Sequence, residues 1–417
     1  MTDAEIETSR SDEPAARPAG ALSVPAFRHL WINNAIYMVV VNAQRFTFGW
    51  LMLDGLGRDE LWQGLVTFAL GIPLALLILH AGVWADRHNR KTLLVAGQVM
   101  SLTVLGTTTA LVFTDLINPG LLITLAVAFG AAQAISQPVR SSLIPALVAP
   151  EQLFNAIAVN AIAMTISMIG GPVLFQVIGN TYGFEGAFGS QALLLAVGLL
   201  ALIRLEVPVN PPTDGPASIW SQISEAVHHI RSEPHVAKLF VLLMVASLSV
   251  NPAVMVTLQA FVKQDLGGDG GDVAPLLAVM GLGIAATSII IMRKGNMARK
   301  GALFQRAMMT GSTMVFLMGR TTSYGFLIPL MLVMGLAGGF YINMNQGLVQ
   351  ANTPERLMGR VMAMFSLVQL GFMPIGALLL GVIATQVGLA ATISAAGLVA
   401  LATVVYTYVT DEHLRTL

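Results

Sequence analysis

Twelve stretches of this chain are each long and apolar enough to cross a lipid bilayer as a helix, and that one feature leaves few folds open. A hydrocarbon core about 30 Å thick is spanned by roughly 20 mostly apolar helical residues. The stretches lie at 30–53, 62–83, 92–114, 119–138, 155–179, 187–205, 238–262, 274–292, 302–319, 325–346, 360–383 and 388–409. Most connections are short and break on Gly, Pro, Asn or Asp. A transmembrane β-barrel does not fit, because barrel strands alternate over about 10 residues and these runs are continuous. Composition argues against a soluble fold. The chain is 55% hydrophobic and 11% charged, where a soluble domain carries about 25% charged residues. An all-α membrane protein is expected.

Charge placement orients the spans, since cytoplasmic loops collect Lys and Arg. With both termini inside, the outer loops hold only Arg58, Lys263 and Arg320, and Arg45 falls within a span. That leaves 18 of the 22 Lys and Arg on the inner side. Both termini are therefore expected in the cytoplasm. Residues 1–26 are acidic and small, without the apolar core of a signal peptide, and read as a disordered tail. The chain also repeats. Gly130, Pro150-Glu151-Gln152-Leu153 and Gly171-Pro172 are followed by Gly335, Pro354-Glu355-Arg356-Leu357 and Pro374, about 205 residues on. Duplicated halves are a transporter signature, so the spans divide into two pseudo-symmetric six-helix bundles, 27–205 and 238–410. Between them, 206–237 is a cytoplasmic linker in which Trp220, Ile223, Val227 and Ile230 recur at helical spacing, as in an amphipathic interfacial helix. Residues 411–417 form a C-terminal tail.

One loop carries a specific motif. After the second span the chain reads Gly82-Val-Trp-Ala-Asp86-Arg87-His-Asn-Arg90-Lys91. This resembles the G-x-x-x-D-R-x-x-R-K signature of the major facilitator superfamily, at its expected place between helices two and three. Asn89 stands where that family usually has glycine, which affects the loop turn. The resemblance implies the major facilitator fold with 12 transmembrane helices. It also implies that Gly82, Asp86, Arg87, Arg90 and Lys91 act as a gating loop holding the halves together on the inner side. The corresponding loop of the second half keeps Arg299-Lys300 but has Gly295 opposite Asp86. Phe27 to Trp31, Gln44-Arg45 to Gly49-Trp50-Leu51, Gln137-Pro138-Val-Arg140 and Pro354 to Met362 resemble the exporter branch containing enterobactin and macrolide efflux proteins. The antiporter motif of the fifth helix is met only at Gly171-Pro172, which with Pro374 are read as helix-packing positions.

Polar side chains within spans need partners or a wet cavity. In the resembled fold helices one, four, seven and ten line the cavity, and here those four are the most polar. The expected cavity residues are Asn34, Asn42, Arg45, Gln133, Gln137, Asn251, Gln259, Asn343 and Gln346. Two readings fit Arg45: it snorkels outward, or it faces the cavity and meets an anionic or carbonyl-bearing substrate. Asn155, Asn160 and Gln369 read as helix glue. His80 reads as an interfacial anchor. No carboxylate lies within the spans, so the residue that would couple transport to protons is not evident.

The expected function is a secondary transporter exporting a small amphipathic organic solute, such as a siderophore, macrolide or drug-like compound, by alternating access, with protons as the candidate coupling ion. An uncoupled facilitator or importer on the same fold is the alternative. Nothing resembles a P-loop, nucleophile–base pair, cofactor motif or metal cluster, so no enzyme, cofactor or metal role is expected. The zero net charge points away from nucleic acid. The partners expected are the bilayer and the solute, with the chain a monomer.

Overall fold

The computed structural model describes residues 20–87, 89–149, 152–207, 219–294 and 299–416, and among them no strand occurs. The first half comprises α1 (Pro25–Trp50), α2 (Glu60–Arg87), α3 (Arg90–Phe113), α4 (Pro119–Leu147) and α5 (Leu153–Ile203). The last is two helices meeting at Tyr182 and Gly183, where Gly183 takes φ +66°. Only glycine enters that region without a Cβ penalty, and the break lets one run cross and return. The linker supplies α6 (Ile219–Ser232).

The second half comprises α7 (Pro234–Val245), α8 (Leu258–Gln264), α9 (Gly270–Lys294), α10 (Lys300–Met318), α11 (Tyr324–Ala351), α12 (Met358–Ser366), α13 (Phe372–Val387), α14 (Leu389–Thr410) and α15 (Glu412–Thr416). Two spans here are interrupted by π turns. Ala246–Val250 and Ala253–Thr257 join α7 to α8 around Pro252, and Leu367–Gly371 joins α12 to α13. Nine of the described helical segments have the length and hydropathy to cross a membrane. The expected tail after residue 410 is not featureless, since 412–416 is helical and Leu414 is buried.

The internal repeat is also a repeat of packing. α2 lies on α4 as α9 lies on α11, and α3 lies on α4 as α10 lies on α11. At the first crossing a methyl group on Gly130 would overlap the Leu70 carbonyl; at the second, one on Gly335 would overlap the Met280 carbonyl. The fifth helix of each half crosses its first the same way. Gly171 abuts Ala43 and Asn42, and Gly376 abuts Leu248. Gly376, 205 residues beyond Gly171, is thus its counterpart. Pro374 packs instead on Gly71, across the boundary between halves.

The helix directions place the chain ends. α1 runs toward Asp54 and α7–α8 toward Lys263, and these two residues pair. Asp411 pairs with Lys238, at the start of the second run. The described ends therefore lie on one face, termed here the terminal face, opposite the Asp54–Lys263 face.

Candidate functional site: a sealed face and a polar interior

The two halves meet at the Asp54 face through several kinds of contact. Gln63 of α2 is buried, and its Nε2 donates to Gln259 Oε1 and to the Val256 carbonyl, each at 3.0 Å. Gly49 leaves no room for a Cβ beside Gln259. Lys263 Nζ pairs with Asp54 at 2.8 Å, donates to the Leu53 carbonyl at 3.0 Å, and lies 5.9 Å from the Trp50 ring centroid. Phe46 stacks on Trp50 and packs on Phe175, and one continuous buried cluster runs from these into Val254, Phe261 and Leu276. Gly64 and Gly381 bring α2 and α13 to backbone contact.

Toward the terminal face the buried clusters separate by half. Leu30, Leu94, Val139, Leu143, Leu202 and Leu205 form one wholly in the first half. Val236, Leu239, Phe304, Leu348 and Leu414 belong to another wholly in the second. α6 belongs to the second half: Ala226 sits in that cluster, and Glu225 pairs with Arg356 at 3.0 Å and with Arg360.

Inside the first half, Arg140 is 2% exposed and meets no carboxylate. Its Nη1 donates to Asn33 Oδ1 (2.5 Å) and Asn34 Oδ1 (3.2 Å), its Nη2 to Gln98 Oε1 (3.1 Å), and its guanidinium lies 3.8 Å from the Tyr37 ring centroid. The amides are held in turn: Asn33 donates to Gly198 O and Gln98 to Leu195 O, while Asn34 donates to Asn160 Oδ1. Hydrogen bonds to a charged group are the strong kind, and this set ties α1, α3, α4 and both parts of α5 into one body.

The expected cavity residues fall into different environments. Asn34 and Gln259 are each 2% exposed; Asn34 is bonded through both its oxygen and its nitrogen and Gln259 through Oε1, so the structure turns them to packing and to the seal rather than to open space. Gln133 is buried as well. Gln137 and Asn251 are half-buried, as is Asn42, whose Nδ2 donates to Met38 O and Ser167 Oγ. Asn343 and Gln346 are exposed, on one stripe of α11 with Gln350. Exposed amides along a span need water rather than lipid. Arg45 is exposed too, and it makes no hydrogen bond or ion pair among the described residues. It sits five residues before Trp50, directly below the seal.

The side chains of His80, Asp86 and Arg87 lie outside the described residues; the backbone there, Gly82 included, is the end of α2. Arg90 reaches Ser142 O, and Lys91 Nζ donates to Ile203 O at 2.8 Å, at the C-terminus of α5, where a cation suits the helix dipole. Asn89 accepts from Lys91 N and Thr92 N as the N-cap of α3, a positive reason for Asn in place of glycine. Asn155 accepts from Ala21 N. Asn33, Gln63 and Gln98 were not singled out in the sequence. Gln63 and Gln98 are single amides in apolar stretches and Asn33 is the neighbour of Asn34, the signals that could have drawn attention to them.

An all-helical body of repeated halves, sealed at one face and polar within, defines a membrane transporter of the major facilitator fold. Solved structures agree. Nucleoside transporter NupG superposes with TM-score 0.72 at 15% identity, covering 93% of this chain and 99% of that one. A POT family transporter in complex with 5-aminolevulinic acid gives 0.76 at 12%, covering 93% and 96%. A bacterial homolog to the human lysosomal transporter Spinster, in an inward-facing, unoccupied conformation, gives 0.66 at 16%, covering 92% and 95%. In sequence, residues 16–413 match the family described as transmembrane secretion effectors, and the chain belongs to that family of the major facilitator superfamily. A curated relative, the staphyloferrin A transporter of Staphylococcus aureus (strain NCTC 8325 / PS 47), is 21% identical over 393 residues, 93% of this chain and 94% of that protein. Family and fold are those of transporters, not enzymes.

Proposed function

We propose that the chain is a secondary exporter that moves a small amphipathic organic solute out of the cytoplasm by rocking two six-helix halves about a midplane site. The observation that carries the reading is the asymmetry of the interface. Cross-half bonds and the shared buried cluster gather at the Asp54 face, while the clusters near the terminal face stay within their own half. The Lys and Arg excess assigns the terminal face to the cytoplasm, so this state opens inward. Twelve spans follow if α5 counts as two and α1 and α10 cross as well. A siderophore is among the solutes that fit, as the staphyloferrin A relative encourages.

The chain has no cysteine, so engineered pairs test the reading cleanly. A short bifunctional maleimide joining Asp54→Cys to Lys263→Cys should lock the seal and abolish efflux. Efflux at full rate with the pair joined would sink alternating access. The second reading, an uncoupled facilitator, is favoured by one feature: every described Asp and Glu lies at a helix end or in a connection. Efflux that continues after an ionophore collapses the proton gradient selects that reading, and arrest selects coupling.

A further inference from the structure

Two arginines of the first half, Arg45 in α1 and Arg140 in α4, are provided for very differently. Arg140 has three amide oxygens and an aromatic face. Among the described residues Arg45 has neither a carboxylate nor an amide partner, and its side chain is exposed just below the seal. Its neighbour Asn42, one turn back on α1, commits its donor group to Met38 and Ser167. Water in an open gap can solvate a guanidinium. Closure of that gap strips the water, and an unpaired charge in a membrane interior is costly unless a partner enters with it.

We infer that Arg45 is the anchor for a carboxylate of the transported solute, so that the cargo supplies the counter-charge the spans lack. This rests on the exporter reading and narrows its substrate to organic anions. The charge count chooses among anions. One unpaired cation is neutralised by one carboxylate, whose two oxygens match the planar guanidinium fork; a phosphate dianion would leave a charge over. Desolvation of Arg45 also makes empty switching slow, which ties the conformational cycle to occupancy.

The test uses full-length protein in phosphatidylcholine nanodiscs and a graded series of monocarboxylates from acetate through hexanoate to benzoate. Each is compared with its methyl ester and with inorganic phosphate at matched ionic strength. Ligands that bind only the folded state raise its melting temperature. At least one acid should raise the melting temperature while its ester does not. The shift should vanish in Arg45→Gln and return in part in Arg45→Lys. Esters acting as well as acids, phosphate acting as well as any acid, an unchanged response in Arg45→Gln, or no response to any acid would each overturn the assignment. Failure of the exporter reading shows separately: a protein that binds acids through Arg45 yet transports with Asp54→Cys joined to Lys263→Cys retains the anion site and loses the rocking cycle.

Discussion

Replacing Gln63 by leucine should shift the protein away from the sealed state, and the size of the shift follows from the geometry. In the sealed state Gln63 is 1% exposed and donates to two acceptors, Gln259 Oε1 and Val256 O, both at 3.0 Å. Leucine leaves the Gln259 amide, itself 2% exposed, without its donor. A buried polar group left unmatched costs about 1–3 kcal/mol. Once the halves part at this face, water reaches both residues and the cost disappears. The penalty therefore falls on one state only, and at about 1.4 kcal/mol per tenfold the population ratio moves by roughly 5- to 150-fold. Spin labels at Arg58 and Gln264, both exposed and on opposite sides of the seal, report it by pulsed dipolar spectroscopy. The parent should give one short distance, and Gln63→Leu should add a longer population. Adding Gln259→Leu should recover part of the short distance, because replacing both partners by apolar groups is nearly neutral. A distance distribution identical to the parent's, alongside a lowered melting temperature, would refute the reasoning: the bond would then stabilise both states alike.

The other predictions concern single elements. Gly130→Ala and Gly335→Ala should each lower thermal stability by about 1–3 kcal/mol through overpacking, and by similar amounts, because each methyl meets a carbonyl at the equivalent crossing. Arg140→Gln should sharply reduce the yield of folded protein by size-exclusion profile, since it strips the donors from Asn33, Asn34 and Gln98. Arg45→Gln should leave the profile intact. Glu225→Gln should raise the rate of limited proteolysis around α6, by an effect of about 1 kcal/mol or less that high salt mimics, since the pairs with Arg356 and Arg360 are partly exposed. Docking of α15 should weaken in acid. Burial alone would raise the Asp411 carboxyl, but hydrogen bonds from Lys238 and Leu414 N–H and the charges of Lys238 and His235 outweigh it and hold it below 3.8. A depressed native value means the stabilisation is complete above the ordinary carboxylate range and lost as pH falls through the native one. Hydrogen exchange of 412–416 should accelerate over that window, and Asp411→Asn should reproduce the effect at neutral pH.

Much of the fold was legible because a bilayer imposes one rule, a long apolar helix, that composition alone reveals. The repeat was legible for a related reason. Gly130 and Gly335 are spaced by the duplication, and backbone contact at each crossing admits nothing larger. The fifth-helix register misled, since Pro172 and Pro374 drew the alignment while the crossings place Gly376 opposite Gly171. A proline marks a helix by its missing donor, whereas a glycine marks where a neighbour touches, and only the second is fixed by packing. The polar residues were harder to read. Asn34 and Gln259 looked like a cavity lining, but span membership does not say which face of a helix an amide occupies. Here both are consumed, one by Arg140 and one across the seal. Arg45 and Arg140 are the same residue type in similarly apolar sequence, and only their burial and contacts separate them.

The π turns explain why the seal sits on the second half's first helix. Pro252 has no N–H to give the Leu248 carbonyl, and Gly376 of α13 packs directly against that carbonyl. One turn on, the widened turn at Ala253–Thr257 presents the Val256 carbonyl to Gln63 across the interface. A regular α-helix directs its carbonyls along its axis toward the residue four ahead; a π turn breaks that register and frees oxygens to point sideways. The same interruption that weakens this span as a rod therefore lets it bond to a body outside its own half. α1 faces it as an unbroken α-helix as far as Trp50, stiffened by the Arg140 network. The first half answers in kind: its own π turn, Leu51–Gly55, follows Trp50 and presents the Leu53 carbonyl to Lys263 Nζ, so each half offers a widened turn to a side-chain donor of the other.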